Sequence, residues 1–528
     1  MFPCLFQHKS ISMNKIFFVL ALLFSTSAIA EPVIIHGNAR SYAGNTLLVF
    51  YEDDYLSHQR RLLTQCEILA TGEFEAQLDL TTTRELILVV SGVEAILYAE
   101  PGSTYELNIP AFLAIPGAKV FNKISVDAEF INPAEGELNV LIRSFNDAYT
   151  TFVNDHYQEF ATENFKGSET YKISRGEDLG TSGMVVIPDN KKPDNSSDNK
   201  NPKEPEPFAD LVSEFSSTVY TYYEENLSNK FFHDYIRYHL AQLELAAGYS
   251  KETLYEEYFF SQPFLHEHPV YMQFFSMLFD GTFRNALDGA KHDAILQAVN
   301  GWREFPGLNR AMSDEPLLTV EHVRHMVILL GLKDAYHRNL LQKNAIEELL
   351  LKTFSTLNDA KVAQTYRNLH MALVKNKQGW HLENFNVIDQ HRNSFSSDSL
   401  AGKYVYYFFY ADWCTSCLKE MQVMEKLYSP YKNYVELVSI SMDETQKEFF
   451  KGLPAHLDQP WTFLYGPSDP LLREKFNLKS LPYAYMVDPQ GNVISDYTRK
   501  PTEGIGNQFE EIKLKLSKPK EGQKTWKD

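Results

Sequence analysis

Two cysteines three positions apart, Cys414 and Cys417, are the residues of this chain best suited to chemistry. A cysteine is a nucleophile only as its thiolate, which forms at neutral pH where the surroundings favour an anion. The flanking sequence supplies such surroundings. Tyr404 to Tyr410 (YVYYFFY) is a nearly unbroken apolar run, the pattern of a strand covered on both faces. Ala411-Asp412-Trp413 ends the run, and from Cys414 onward Leu418, Met421, Met424 and Leu427 recur at helical spacing. Cys414 is therefore expected at a helix N-terminus, where unpaired N–H groups and the helix dipole attract negative charge. Cys417 falls one turn later on the same face, close enough to close a disulfide. The competing use of a C-x-x-C is half of a zinc site. The chain has no second C-x-x-C to complete one, and outside this motif it has only Cys4 and Cys66.

The elements that must position this pair carry further signals in a fixed order. Gly402-Lys403 precedes the apolar strand, Phe409-Tyr410-Ala411-Asp412-Trp413-Cys414-Thr415-Ser416-Cys417 follows, and Glu420 lies on the next helical turn. Val438-Ser439-Ile440-Ser441-Met442-Asp443 reads as the next parallel strand, and Leu481-Pro482-Tyr483 opens a stretch running to Ile494. In these residues the region 379–518 resembles the thioredoxin superfamily, in particular the exported TlpA/ResA-like branch of thiol–disulfide oxidoreductases. The resemblance implies an α/β thioredoxin fold whose working group is the redox-active disulfide Cys414–Cys417, with no other cofactor and no metal. It implies that Cys414 attacks a partner, that Cys417 resolves the mixed disulfide, and that Pro482 is a cis-proline facing them. Trp413 would flank the site as an apolar lid, Leu481 would touch the substrate, and Glu420 would trade a proton with Cys417. A Glu in the first turn of a helix is also favoured by the dipole alone, which is the plainer reading of Glu420. Two departures stand out: Phe408 occupies the position of thioredoxin's buried Asp, and Leu481 replaces the more usual Thr, Val or Ile. The resemblance further implies cysteine-containing exported proteins as partners, together with a redox partner such as a membrane electron donor. A reductant role comes first and an oxidase or isomerase role second.

The remaining sequence frames that domain. With 528 residues, 44% of them apolar, the chain is long enough for several domains. Its balance of 50 basic against 69 acidic residues argues against a nucleic-acid binder. From Met13, MNKIFFVLALLFSTSAIA has the layout of a secretory leader cleaved near Ala30, and its apolar run is too short to span a bilayer. Residues 1–30 are accordingly read as a signal peptide, the mature chain as periplasmic or otherwise exported, and no stable membrane span is expected. Residues 31–115 read as a small all-β domain of short strands and glycine turns. Residues 116–175 read as a helical connection, and 176–207 as a disordered linker rich in Pro, Asn and charge. Residues 208–378 read as an α-helical domain and 519–528 as a flexible tail. The β-rich and helical parts resemble, through their architecture and the Glu100-Pro101-Gly102-Ser103 turn, the accessory regions of large exported thioredoxin-like proteins of Bacteroidetes-type bacteria. The histidines of Leu265-His266-Glu267-His268 and Glu321-His322-Val323-Arg324-His325 do not form an H-E-x-x-H zinc motif and read as ordinary structural or surface residues. Cys66 reads as a buried small hydrophobe, with a resolving or intermolecular role as the alternative. Because so much of the chain lies outside the redox region, a cell-envelope binding or assembly protein with an accessory thioredoxin-like domain is the alternative reading.

Overall fold

The computed structural model describes residues 30–111, 121, 124–156, 208–453, 456 and 459–517. The stretches read from sequence as a signal peptide (apart from Ala30), a disordered linker (176–207) and a flexible tail (519–528) fall outside the described residues. The architecture is multidomain: a strand-rich N-terminal region, a helical centre and a C-terminal α/β domain.

The N-terminal region contains β1 (Glu31–Asn38), β2 (Thr46–Glu52), β3 (Arg60–Glu67), β4 (Glu73–Leu80), β5 (Arg84–Val90), β6 (Val93–Ala99) and β7 (Thr104–Asn108). β4 (EFEAQLDL) buries every second side chain, as a strand with one wet face must. Two short strands, β8 (Ile124–Val126) and β9 (Glu129–Phe130), lie in the stretch read as a helical connection. They extend existing sheets, β8 beside β6 and β9 beside β7, and are too short to show periodicity in the sequence. The sheets run β4-β1-β7-β9 and β3-β2-β5-β6-β8. Val33, Ile35, Leu47, Val49, Leu88 and Leu107 fill the space between them.

Helices Leu138–Asp155 and Phe208–Tyr222, and those that follow as far as Ala360–Val374, surround one large aromatic-rich core. That core does not stop at the β-domain. Leu56 belongs to it, and the Tyr98 ring sits 5.7 Å from both Phe231 and Tyr235. The Asn368 amide donates to Asp53 and Asp54 at 2.8 Å each, and Lys333 Nζ donates to the Leu56 carbonyl at 2.7 Å. The β-rich and helical parts therefore pack as one block.

The C-terminal sheet comprises β10 (Asn386–Asp389), β11 (Ser394–Ser396), β12 (Tyr404–Tyr410), β13 (Val435–Ser441), β14 (Thr462–Tyr465) and β15 (Tyr483–Val487). Its order is β11-β10-β14-β13-β12-β15. β12, β13 and β14 are mutually parallel, and β15 runs antiparallel to β12. All seven residues of β12 are buried, because helices and loops cover both faces of this central strand. Helix Thr415–Tyr428 makes the crossover from β12 to β13. The domain docks on the rest of the chain through Leu471, which meets the outer face of the five-stranded sheet at Leu48, Phe50, Ile87 and Val89. Arg473 lies over the Phe121 ring, 4.3 Å from its centroid, and donates to the Phe121 carbonyl.

Candidate functional site

The chain leaves β12 at Tyr410, turns through Ala411-Asp412-Trp413, and enters helix Thr415–Tyr428 with Cys414 as its N-cap. Cys414 Sγ accepts the Cys417 N–H at 3.2 Å and lies 3.4 Å from Ser416 Oγ. A sulfur in this position takes up one of the unpaired N–H groups of the first turn, which suits an anion. The two cysteines are joined as a disulfide. Cys414 keeps 7% of its surface exposed and Cys417 none, so an approaching sulfur reaches Cys414 first. Thr415 and Ser416 are exposed beside it.

The other residues singled out from sequence gather around this helix start. Phe409 of β12 is in register with Tyr483 of β15. Leu481 and Pro482 therefore stand where β12 hands over to the cysteine turn, and the peptide between them is cis. Leu481 and Trp413 are half-buried and pack on the same core as both cysteines. The Trp413 indole N–H is sealed from solvent without a partner among the described residues. Phe408 is an apolar core residue of β12, so no acid enters the site from that position.

Glu420 is buried one turn beyond Cys417. Its carboxylate accepts the Thr502 N–H at 2.9 Å and the Thr502 hydroxyl at 2.6 Å. Both oxygens are thus engaged, and the side chain ties the cysteine helix to the turn Pro501–Glu503.

Sequence reasoning missed the group that holds the turn before Cys414. Asp443, 1% exposed and two residues beyond the end of β13, accepts the Asp412 N–H at 3.1 Å and the Ser441 hydroxyl at 2.7 Å. Burial pushes the Asp443 carboxyl above its ordinary range. The Asp412 carboxylate meets His456 Nε2 at 3.2 Å and rests against Gly452, where a Cβ would lie 1.2 Å from Asp412 Oδ2. Only glycine admits that approach. Asp412 and Asp443 stand inside the quoted motifs, yet nothing in their spacing announces this contact.

Cys66 lies apart from the site, half-buried on β3 against the β-domain core. Burial pushes its thiol up, the reverse of activation.

Residues 402–493 match a family model described as thioredoxin-like. The C-terminal domain is thioredoxin-like. The thiol-disulfide oxidoreductase ResA of Halalkalibacterium halodurans is 28% identical to this chain over 137 residues, which is 24% of this chain and 73% of that protein. The ResA of Bacillus subtilis is 25% identical over 152 residues, 27% of this chain and 78% of that protein. Among solved structures, the thioredoxin domain of a thiol-disulfide oxidoreductase from Bacteroides vulgatus is similar at 21% identity with a TM-score of 0.24. It covers 26% of this chain and 97% of that one. A thiol:disulfide interchange protein from Bacteroides sp. is similar at 22% identity and the same TM-score of 0.24, covering 28% of this chain and 95% of that one. The two ResA likenesses each span about a quarter of the chain. Among the described residues no helix is long and apolar enough to cross a membrane.

Proposed function

We propose that this protein is an exported thiol–disulfide oxidoreductase that exchanges disulfides with cysteine-containing partner proteins, running chiefly as a reductant. The observation that carries the reading is the asymmetry of the pair: Cys414 caps a helix with 7% of its surface exposed, and Cys417 is sealed beneath it. In the reducing direction the Cys414 thiolate attacks one sulfur of a partner disulfide. A Cys414–partner bond forms, the partner disulfide breaks, and the second partner sulfur leaves as a thiolate that takes a proton. The Cys417 sulfur, having lost its proton, then attacks Cys414 Sγ. The intramolecular disulfide closes and the first partner thiol departs, so two electrons and two protons have passed to the partner.

Glu420 is the acid–base group this reading gives to Cys417, since it is buried one turn away with Thr502 fixing its orientation. Leu481 and Pro482 form the wall against which a partner's extended backbone lies, and Trp413, half-buried next to Cys414, flanks the disulfide as an apolar lid. The reductant direction and the exported location rest on the likeness to ResA proteins and on the leader-like residues 13–30. A membrane electron donor would then return the pair to its dithiol form.

The test is trapping. A Cys417→Ser variant of the full chain, expressed with its leader and isolated from the cell envelope under acid quench, should carry covalent partners through Cys414 that reductant releases. A variant that accumulates no mixed disulfide while remaining folded would sink the reading.

A further inference from the structure

We infer that the helical region holds a divalent transition-metal site built from His266 and His322, with Asp359 as the carboxylate that orients His322. These residues come from three separate segments: the loop before helix Pro269–Leu278, the first turn of helix Glu321–His337, and the N-cap of helix Ala360–Val374. Their ligand atoms lie within 4.8 Å of one another. His266 Nε2 and His322 Nε2 face each other at 2.8 Å, and His322 Nδ1 is 2.9 Å from Asp359 Oδ2.

The hydrogen bonds fix which atoms are available. Asp359 Oδ1 accepts the Lys361 and Val362 N–H groups at 2.9 and 3.1 Å, which pins the carboxylate at its helix start. Its Oδ2 then accepts from His322 Nδ1–H, leaving the His322 Nε2 lone pair directed at His266. This is the arrangement by which a carboxylate orients a metal-binding imidazole. The Phe264 ring sits 4.6 Å from each imidazole and restricts their rotation. Lys361, the nearby cation, is paired with Glu267. Beside the two Nε2 atoms opens a cavity of about 350 Å³ lined by Phe259, Phe264, His266, His322, Asp359 and Lys361. It has room for the water or small ligand that would complete the coordination.

Without a metal, the pair is held by one proton shared between the two nitrogens. Metal binding replaces that proton: His266 carries its N–H on Nδ1 instead, and both Nε2 lone pairs turn to the ion. Two nitrogens at about 2.0–2.1 Å in a tetrahedral shell stand roughly 3.3 Å apart, so the rings must separate by only about half an ångström. Two imidazoles with water select zinc, copper or nickel over calcium or magnesium, which prefer oxygen. No electron transfer is involved.

The measurement is a zinc titration of the chelator-treated full chain with Cys414–Cys417 kept oxidised, so that those thiols cannot compete. The wild type should bind one equivalent saturably, and His266→Gln and His322→Gln should each weaken binding by at least about tenfold, with Asp359→Asn weakening it less. Far-UV circular dichroism checks that the variants are folded. X-ray absorption of the zinc-loaded wild type gives a readout that needs no variant: two imidazole nitrogens at about 2.0 Å are expected. No saturable binding, unchanged affinity in both histidine variants, or a shell containing sulfur from Cys66 would each overturn the assignment.

Discussion

Cys414 and His268 occupy the same local position in two different regions, each capping the N-terminus of a helix with its side chain. Cys414 Sγ accepts the Cys417 N–H at 3.2 Å in the thioredoxin-like domain. His268 Nδ1 accepts the Tyr271 N–H at 3.3 Å in the helical block, and its Nε2–H donates to the Phe231 carbonyl at 3.3 Å. The outcomes are opposite because a helix N-terminus favours an anion. A thiolate gains from that position, which suits the nucleophile role proposed for Cys414 once the disulfide is reduced. An imidazole there must stay neutral to accept at all, and burial pushes the His268 pKa down to about 4. The same turn of backbone thus favours the charged form of one residue and the neutral form of the other.

The strongest way to break this comparison is to remove the sulfur. Cys414→Ser should reduce disulfide exchange to the uncatalysed background, whereas Cys66→Ser should leave it within about twofold, as expected of a change remote from the site. Alkylation by iodoacetamide of the reduced protein at pH 7, followed by mass spectrometry, measures the contrast directly. Cys414 should react at least about 30-fold faster than Cys66, because one thiol sits at a helix start and the other is raised by burial.

Acid sharpens the other half. A His pKa lowered by folding means that the unfolded chain binds more protons, so the stabilising effect is complete above about 6.5 and is lost as pH falls below it. For His268 the loss runs from about 6.5 down to about 4, at about 1.4 kcal/mol per pH unit. His239, whose ring nitrogens are sealed without partners among the described residues and whose pKa falls to about 3, extends the slope further. Denaturant unfolding between pH 7 and 4.5 checks this, and His268→Asn, which keeps a capping oxygen, should flatten the slope.

Much of the redox site was legible because it is local. A strand, a three-residue turn and a helix are contiguous from Tyr404 to Tyr428, so hydrophobic periodicity alone places Cys414 at a helix start. The rest depends on contacts between distant segments. Asp443 supports Asp412 from 31 positions away, and His456 meets Asp412 from 44. His266 and His322, which read as unrelated histidines, meet across 56 positions. Strands β8 and β9 exist only because neighbouring strands offer them partners.

Two smaller effects probe the support around Cys414. Asp443→Ala leaves the Asp412 N–H and the Ser441 hydroxyl without their acceptor and should cost about 1–3 kcal/mol in denaturant unfolding, with slower exchange. Glu420→Gln should slow the resolving step by Cys417 several-fold and alter its pH dependence in stopped-flow measurements. A stability loss of about 1 kcal/mol with an unchanged pH profile would instead reduce Glu420 to holding Thr502.

The central claim is that Cys414 and Cys417 form a working redox pair, and its equilibrium with glutathione buffers tests it most directly. The account predicts a single two-electron transition of the full chain, at or below about −270 mV, as a reductant requires. A transition near about −120 mV would reverse the direction of electron flow, and failure to form the disulfide at any poise would contradict the account outright.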